Sequence, residues 1–183
     1  MKNKIILVGG YCATGKSTFS RKLSDLLGIP CFNKDTIKES LGDSFGPDNN
    51  MVFEKGSAAA FTLMLHITES FLRAGKTCIL ESNFKMKEAA EIKTLLETYN
   101  AECLCFIFTG DLEALCTRYD ERDSQRHWVH GKTNGNREAF IRGQIKGGLA
   151  EIAIGTTIVT DATRFEKVNY DDLFAAAGDF IIS

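Results

Sequence analysis

Gly10-Tyr11-Cys12-Ala13-Thr14-Gly15-Lys16-Ser17-Thr18 is the stretch that decides the fold. It fits Gly-x-x-x-x-Gly-Lys-[Ser/Thr] at every defined position, between the apolar run Ile5-Ile6-Leu7-Val8 and an amphipathic segment from Lys16 to Leu27. A strand, a glycine turn and a helix in that order let backbone N–H groups converge on phosphate oxygens. The helix adds the positive end of its dipole. Lys16 would reach the β- and γ-phosphates of a nucleotide, and the Ser17 hydroxyl would bind Mg²⁺. ATP and Mg²⁺ are therefore the expected ligands, held by Gly10 through Thr18. Cys12 lies inside the turn, where a thiol would be open to oxidation or alkylation.

Outward from the turn, short runs rich in Ile, Val and Phe alternate with longer segments of helical period. That is the pattern of a parallel sheet wrapped by helices. Strands are expected at 4–8, 29–33, 77–81, 102–108 and 157–160. Helices are expected at 16–27, 36–41, 52–74, 85–99, 112–123, 137–146 and 170–177. The longest helix should bury Phe53, Ala60, Leu63, Met64, Ile67 and Phe71, which recur at three- and four-residue steps. It should end at Ala74-Gly75, with glycine in the left-handed cap conformation. Two polar, glycine-bearing stretches, 42–50 and 124–136, read as loops.

The whole chain, 183 residues with 44% hydrophobic and 25% charged, has the size and composition of one globular domain. Disordered, collagen-like and membrane-bundle classes are excluded. With 22 basic against 24 acidic residues the net charge is −2, which gives no global attraction for nucleic acid or anionic lipid. No apolar stretch approaches the roughly 18 residues a membrane helix needs, so no membrane partner is expected. The basic-then-apolar start reads as a first strand rather than a signal peptide, because the apolar run enters the glycine turn after Val8. Cys12, Cys31, Cys78, Cys103, Cys105 and Cys116 are scattered without a C-x-x-C pair. This points to reduced thiols and a cytoplasmic protein.

On the glycine turn and its flanks, the sequence resembles small P-loop kinases of the nucleoside-monophosphate-kinase-like fold. It looks most like the branch that includes chloramphenicol phosphotransferase-like and zeta-toxin-like enzymes. The resemblance covers most of the chain, although only the phosphate turn is a highly specific motif. It implies a three-layer α/β P-loop fold with a five-stranded, mainly parallel sheet and helices on both faces. It also implies a mobile arginine-bearing lid at roughly 118–140 and a substrate-side helical region at roughly 36–74.

Two carboxylates stand at strand ends. In Asn33-Lys34-Asp35-Thr36-Ile37-Lys38-Glu39, Asp35 begins a helix and could serve as its N-cap. The resemblance instead implies that Asp35 faces the γ-phosphate site and accepts a hydrogen bond from a substrate hydroxyl, with Lys38 as the basic residue three positions on. In Cys78-Ile79-Leu80-Glu81-Ser82-Asn83-Phe84, Glu81 falls where such sheets form their ligand crevice. It could hold Mg²⁺ through water, or cap a turn. Related kinases with Glu-x-Asn-Phe here imply that Glu81 and Asn83 attend to the acceptor.

Arg118, Arg122 and Arg126 are spaced four apart, on nearly one helical face, and His127, Trp128, His130, Lys132, Arg137 and Arg142 follow. Such a face is ordinarily solvated and can pair with Asp120, Glu121 and Asp123. By resemblance, Arg118 stacks on adenine while Arg122 and Arg126 clamp phosphate, a task suited to the guanidinium fork. The turn Thr160-Asp161-Ala162-Thr163 helps form the adenine pocket in similar kinases. Cys103 and Cys105 read as core.

The expected activity is ATP- and Mg²⁺-dependent transfer of the γ-phosphate to a hydroxyl of a small molecule. Lys16, Asp35, Arg122 and Arg126 would be the catalytic groups, and Asp35, Lys38, Glu81 and Asn83 the substrate-side groups. Adenylate-kinase-type transfer is disfavoured, since Thr-Gly-Asp stands after the fourth strand (Thr109-Gly110-Asp111) rather than the second. A polynucleotide 5′-hydroxyl kinase and an ATP-binding regulatory or toxin-like module are the alternatives. The identity of the acceptor and the oligomeric state are not encoded in any motif.

Overall fold

The structure is a computed structural model and describes residues 3–123, 125–130 and 135–183. Ser124, Lys132 and part of the expected 124–136 loop and lid therefore lie outside the described residues. The strands are β1 (Lys4–Gly10), β2 (Cys31–Asn33), β3 (Cys78–Glu81), β4 (Glu102–Thr109) and β5 (Thr156–Asp161). The helices are α1 (Lys16–Leu27), α2 (Lys34–Phe45), α3 (Asn50–Arg73), α4 (Met86–Thr98), α5 (Leu112–Asp123), α6 (Arg137–Lys146) and α7 (Tyr170–Ile182). A 3₁₀ turn, Phe165–Lys167, precedes α7.

The five strands form one sheet in the order β2-β3-β1-β4-β5. Every pairing is parallel, so the expected mainly parallel sheet is parallel throughout. All seven residues of β1 are buried. Helices cover both faces of the sheet, which is why its strands read as continuous apolar runs rather than alternating ones. On one face Ile5, Leu7, Leu80 and Cys105 pack against Phe61, Met64 and Leu72 of α3 and Ile92 of α4. On the other, Ile6, Val8, Phe106 and Phe108 pack against Phe19 and Leu23 of α1 and Leu173 of α7. Phe19 stacks on Phe174 at 5.2 Å and meets the edges of Phe106 and Phe108 at 5.1 Å.

The long helix departs from its expected face. Phe53 and Leu63 are exposed, and the buried stripe is Val52, Gly56, Ala60, Phe61, Met64, Thr68 and Leu72. Apolar residues occupy more than one side of this helix, and Thr68 enters the core because its hydroxyl returns a 2.7 Å bond to the Met64 carbonyl. The end is as expected: Gly75 takes φ +65°, with Gly75 N–H to Leu72 at 3.1 Å and Lys76 N–H to Phe71 at 2.9 Å.

The expected loop at 42–50 is shorter, because α2 continues to Phe45. Gly42 sits inside it where a Cβ would stand 2.2 Å from Cγ1 of Val129, so the missing side chain admits a crossing segment. Glu88 links two layers: one oxygen caps α4 at the Lys85 N–H (3.0 Å), the other pairs with buried Lys34 of α2 (2.7 Å). All six cysteines are free. Cys103 and Cys105 are core residues, and burial pushes the Cys105 thiol up to about 12. Among the described residues no helix is long and apolar enough to cross a membrane.

Candidate active site

β1 delivers the chain into the glycine turn at the sheet's carboxyl edge, between its neighbours β3 and β4. Gly10 takes φ +112°, and a Cβ there would lie 2.0 Å from the carbonyl oxygen of Phe108. Only glycine lets the turn leave the sheet so closely, and the Tyr11 N–H then bonds that same carbonyl at 2.8 Å. Gly15 caps α1 at φ +83°, with no side-chain cap and no acid in the first turn. The amides at the start of α1 are thus left to an outside anion.

Lys16 is buried, and its Nζ donates to the Tyr11 carbonyl and reaches Thr14 Oγ1 at 3.4 Å. Burial holds its pKa below the usual lysine value, against the opposing pull of Cys12, Glu81 and Asp35. Cys12 is gripped from two sides: Gln144 of α6 accepts its backbone N–H at 2.9 Å, and Asn83 Nδ2 donates to its Sγ at 2.9 Å.

A cleft of about 450 Å³ opens over the turn. Cys12 through Thr18 line it, together with Asp35, Glu39, Glu81, Asn83, Arg122 and Arg126. Cys12 and Arg126, 114 positions apart in sequence, are thereby brought to one cavity. Gly10 and Tyr11 do not line it. Tyr11 instead packs beside Leu115, Cys116 and Phe140, so its contribution is the carbonyl that holds Lys16.

Asp35 is not the N-cap of its helix. Asn33 performs that task, accepting the Thr36 N–H on Oδ1 at 2.9 Å. The Asp35 carboxylate, in the first turn of α2, is exposed to the cleft and accepts no hydrogen bond from any described residue. Lys38 does not line the cleft. Its half-buried ammonium donates to the Val129 carbonyl at 2.6 Å, and burial lowers its pKa against the pull of Asp35.

Glu81 is buried beside the Ser17 side chain and accepts from the Asn33 amide. Burial raises its pKa, while Lys16 and Ser17 draw it down and Asp35 pushes it up. Ser17 and Glu81 form a pair of hard oxygen donors at the phosphate turn. Among the described residues there is no cluster of three or more His, Cys, Asp or Glu that could hold a metal. Mg²⁺ fits the pair nonetheless, because it binds through one or two protein oxygens and completes its shell with phosphate and water.

The arginines divide as follows. Arg118 does not line the cleft: its guanidinium donates to the carbonyls of Ala162 (2.8 Å) and Thr163, and lies over the Phe165 ring at 4.1 Å. Phe165 also stands 3.2 Å from where a Gly15 Cβ would be, so it joins the turn after β5 to the phosphate turn. Arg122 lines the cleft from the exposed end of α5. Arg126 lies over Tyr119 at 4.4 Å, with its Nη1 buried and without a hydrogen-bond partner among the described residues. Beyond it, His127 Nε2 lies 2.9 Å from Asp43, His130 Nε2 lies 2.7 Å from Glu39, and Trp128 sits 6.4 Å from the Phe53 ring. Residues 127–130 are therefore docked on α2 and α3.

Phe165, Glu39 and Gln144 were missed by sequence reasoning. Glu39 carried a signal, since it follows Asp35 by four residues and must share its helical face. Gln144 carried none.

Residues 5–146 match the family described as the AAA domain. The chain belongs to the AAA domain family. Solved structures extend the likeness of this AAA-domain chain over its whole length. A provisionally assigned kinase from Chloroflexus aurantiacus J-10-fl is 22% identical with a TM-score of 0.85, over 98% of each chain. Shikimate kinase from Acinetobacter baumannii, in complex with shikimate, is 20% identical with a TM-score of 0.57, over 100% of this chain and 94% of that one. Chaetomium thermophilum Kti12, in complex with ADP-AlF3, is 16% identical with a TM-score of 0.66, over 96% and 97%. At these identities the likeness establishes the P-loop kinase fold. No curated protein matches the chain.

Proposed function

We propose that this AAA-domain protein is an ATP- and Mg²⁺-dependent kinase that transfers the γ-phosphate to a hydroxyl of a small molecule. The observation that carries the reading is the free carboxylate of Asp35. Relieved of capping by Asn33, it shares the cleft with Lys16, Arg122 and Arg126 and has no structural duty there. A site that only bound nucleotide would have no use for it.

Lys16 and the open amides of Gly15 through Ser17 hold the triphosphate. Ser17, with Glu81 acting directly or through water, would hold Mg²⁺, which when bound supplies charge neutralisation at the phosphates. Asp35 accepts the hydrogen bond of the incoming hydroxyl and aims its oxygen at the γ-phosphorus. The new O–P bond forms there as the bond to the β,γ-bridging oxygen breaks, and the hydroxyl proton leaves by way of Asp35. Phosphoryl transfer passes through a loose transition state, so orientation counts for more than early proton removal. Arg126, whose Nη1 has no partner among the described residues, and Arg122 meet the charge of the migrating group. Arg118 and Phe165 flank the adenine side.

The neighbouring kinases, and the sequence resemblance to the chloramphenicol phosphotransferase-like branch, support this reading. The six free thiols favour a cytoplasmic site of action. An ADP-release screen against sugars, antibiotics, nucleosides and UDP-sugars tests the proposal, once ATP is seen to raise the melting temperature. A hundredfold excess of ATP over its dissociation constant should add about 2.7 kcal/mol of stability. The likeness to Kti12 with ADP-AlF3 favours a second reading, an ATP-using regulatory module. Slow ATP turnover indifferent to every hydroxyl compound would decide for it.

A further inference from the structure

Asp35 and Glu39 stand one helical turn apart on α2, and both line the cleft across from the phosphate turn. His130 holds Glu39 by one oxygen, with Nε2 2.7 Å from Oε1. The other oxygen of Glu39, like both oxygens of Asp35, has no hydrogen-bond partner among the described residues.

The cations of this helix are engaged elsewhere. Lys34 is buried against Glu88 at 2.7 Å, and Lys38 is committed to the Val129 carbonyl at 2.6 Å. Lys16, Arg122 and Arg126 belong to the phosphate side of the cleft, where a triphosphate needs them. Arg21 at the mouth is the one further guanidinium among the described residues lining the cleft, set against two carboxylates. Carboxylate or phosphomonoester recognition calls for a fork or cluster of cations, whereas hydroxyl and ammonium groups donate to carboxylates. An anionic acceptor would be placed beside two like charges with little to offset them.

Resting on the kinase reading, we infer that the acceptor is a polyhydroxyl compound bearing no anionic group, either neutral or carrying an ammonium. Asp35 orients the reacting hydroxyl. Glu39, braced by His130, receives a second hydroxyl or the ammonium and sets the charge preference. The cleft of about 450 Å³ has room for a sugar-sized compound beside the phosphates.

The test is ADP release by the full chain with ATP and Mg²⁺, using acceptors matched in shape and differing in charge. A suitable set is D-glucose, D-glucosamine, D-gluconate and glucose 6-phosphate, with the corresponding neutral, amino, acid and phosphate forms of a cyclitol. The neutral or amino member should exceed its acid and phosphate counterparts in kcat/KM by about tenfold or more. Glu39→Gln should narrow that gap while the ATP dissociation constant, measured by calorimetry, stays put. A preference for the acid or phosphate member overturns the inference and leaves the kinase standing. ATP binding with no ADP release for any member overturns both.

Discussion

The Nζ of Lys38 donates to the carbonyl oxygen of Val129 at 2.6 Å, across 91 residues of chain. This bond, the absent side chain at Gly42 and the two histidine–carboxylate pairs dock the segment after α5 on the helix that carries Asp35. The segment that follows Arg126 and the helix that carries Asp35 are thereby joined. Lys38→Met should loosen the junction. Loss of one such bond costs about 1 kcal/mol, a fall of roughly 2–4 °C in melting temperature for a chain of this size. The acceptor kcat/KM should drop by about tenfold with ATP affinity nearly unchanged. A variant with full transfer rate would remove the latch from the mechanism.

Asp35→Asn keeps the shape of the side chain and discards its charge. Because Asn33 retains the cap, the fold should be unaffected and ATP binding should stay within about twofold, while transfer falls by about a hundredfold or more. Calorimetry and single-turnover kinetics read the two quantities separately. Unchanged turnover would show that the hydroxyl is oriented by some other group.

Arg126 tests the guanidinium itself. Arg126→Ala should lower kcat by about a thousandfold if its Nη1 meets the transferring phosphoryl group. Arg126→Lys should recover little, since an ammonium offers no planar fork and loses the face of Tyr119. Full rescue by lysine would reduce the role of Arg126 to a point charge.

Glu81 carries a stored cost. Its pKa is raised by burial, so the folded protein prefers the protonated form and ionisation weakens the fold as pH climbs past the unfolded carboxyl value. Glu81→Gln should therefore raise the melting temperature of the ligand-free protein, by more at pH 8 than at pH 5. The same variant should weaken the Mg²⁺ dependence of ATP binding and lower transfer by about a hundredfold. A larger stabilisation at pH 5 than at pH 8 would contradict the sign.

Gly10→Ala should be destabilising by on the order of 3 kcal/mol, because the new Cβ would collide with backbone rather than a side chain that can swing away. Chemical denaturation measures it. A neutral result would mean that β1 and β4 can separate at Phe108 without cost.

The periodicities and the glycine turn determined the order of elements, the parallel layers and the place of Lys16 and Ser17. These are local or near-local properties: a strand buried on both faces must be apolar throughout, and a turn that exposes its amides must carry glycines. Asp35, Glu81 and Arg126 were legible as residue types at strand and helix ends. Their surroundings were decided only by tertiary contacts. Asn33 and Asp35 are equally good caps on paper, and which one bonds the Thr36 N–H depends on how α2 leaves β2. Family resemblance assigned Lys38 to substrate and Arg118 to adenine; the folded chain gives one to the Val129 carbonyl and the other to the turn after β5. Phe53 and Leu63 obey helical spacing yet face outward, since spacing names the sides of a helix and only packing chooses the buried one. Charge balance within the cleft is likewise tertiary, for it depends on which lysines find partners elsewhere.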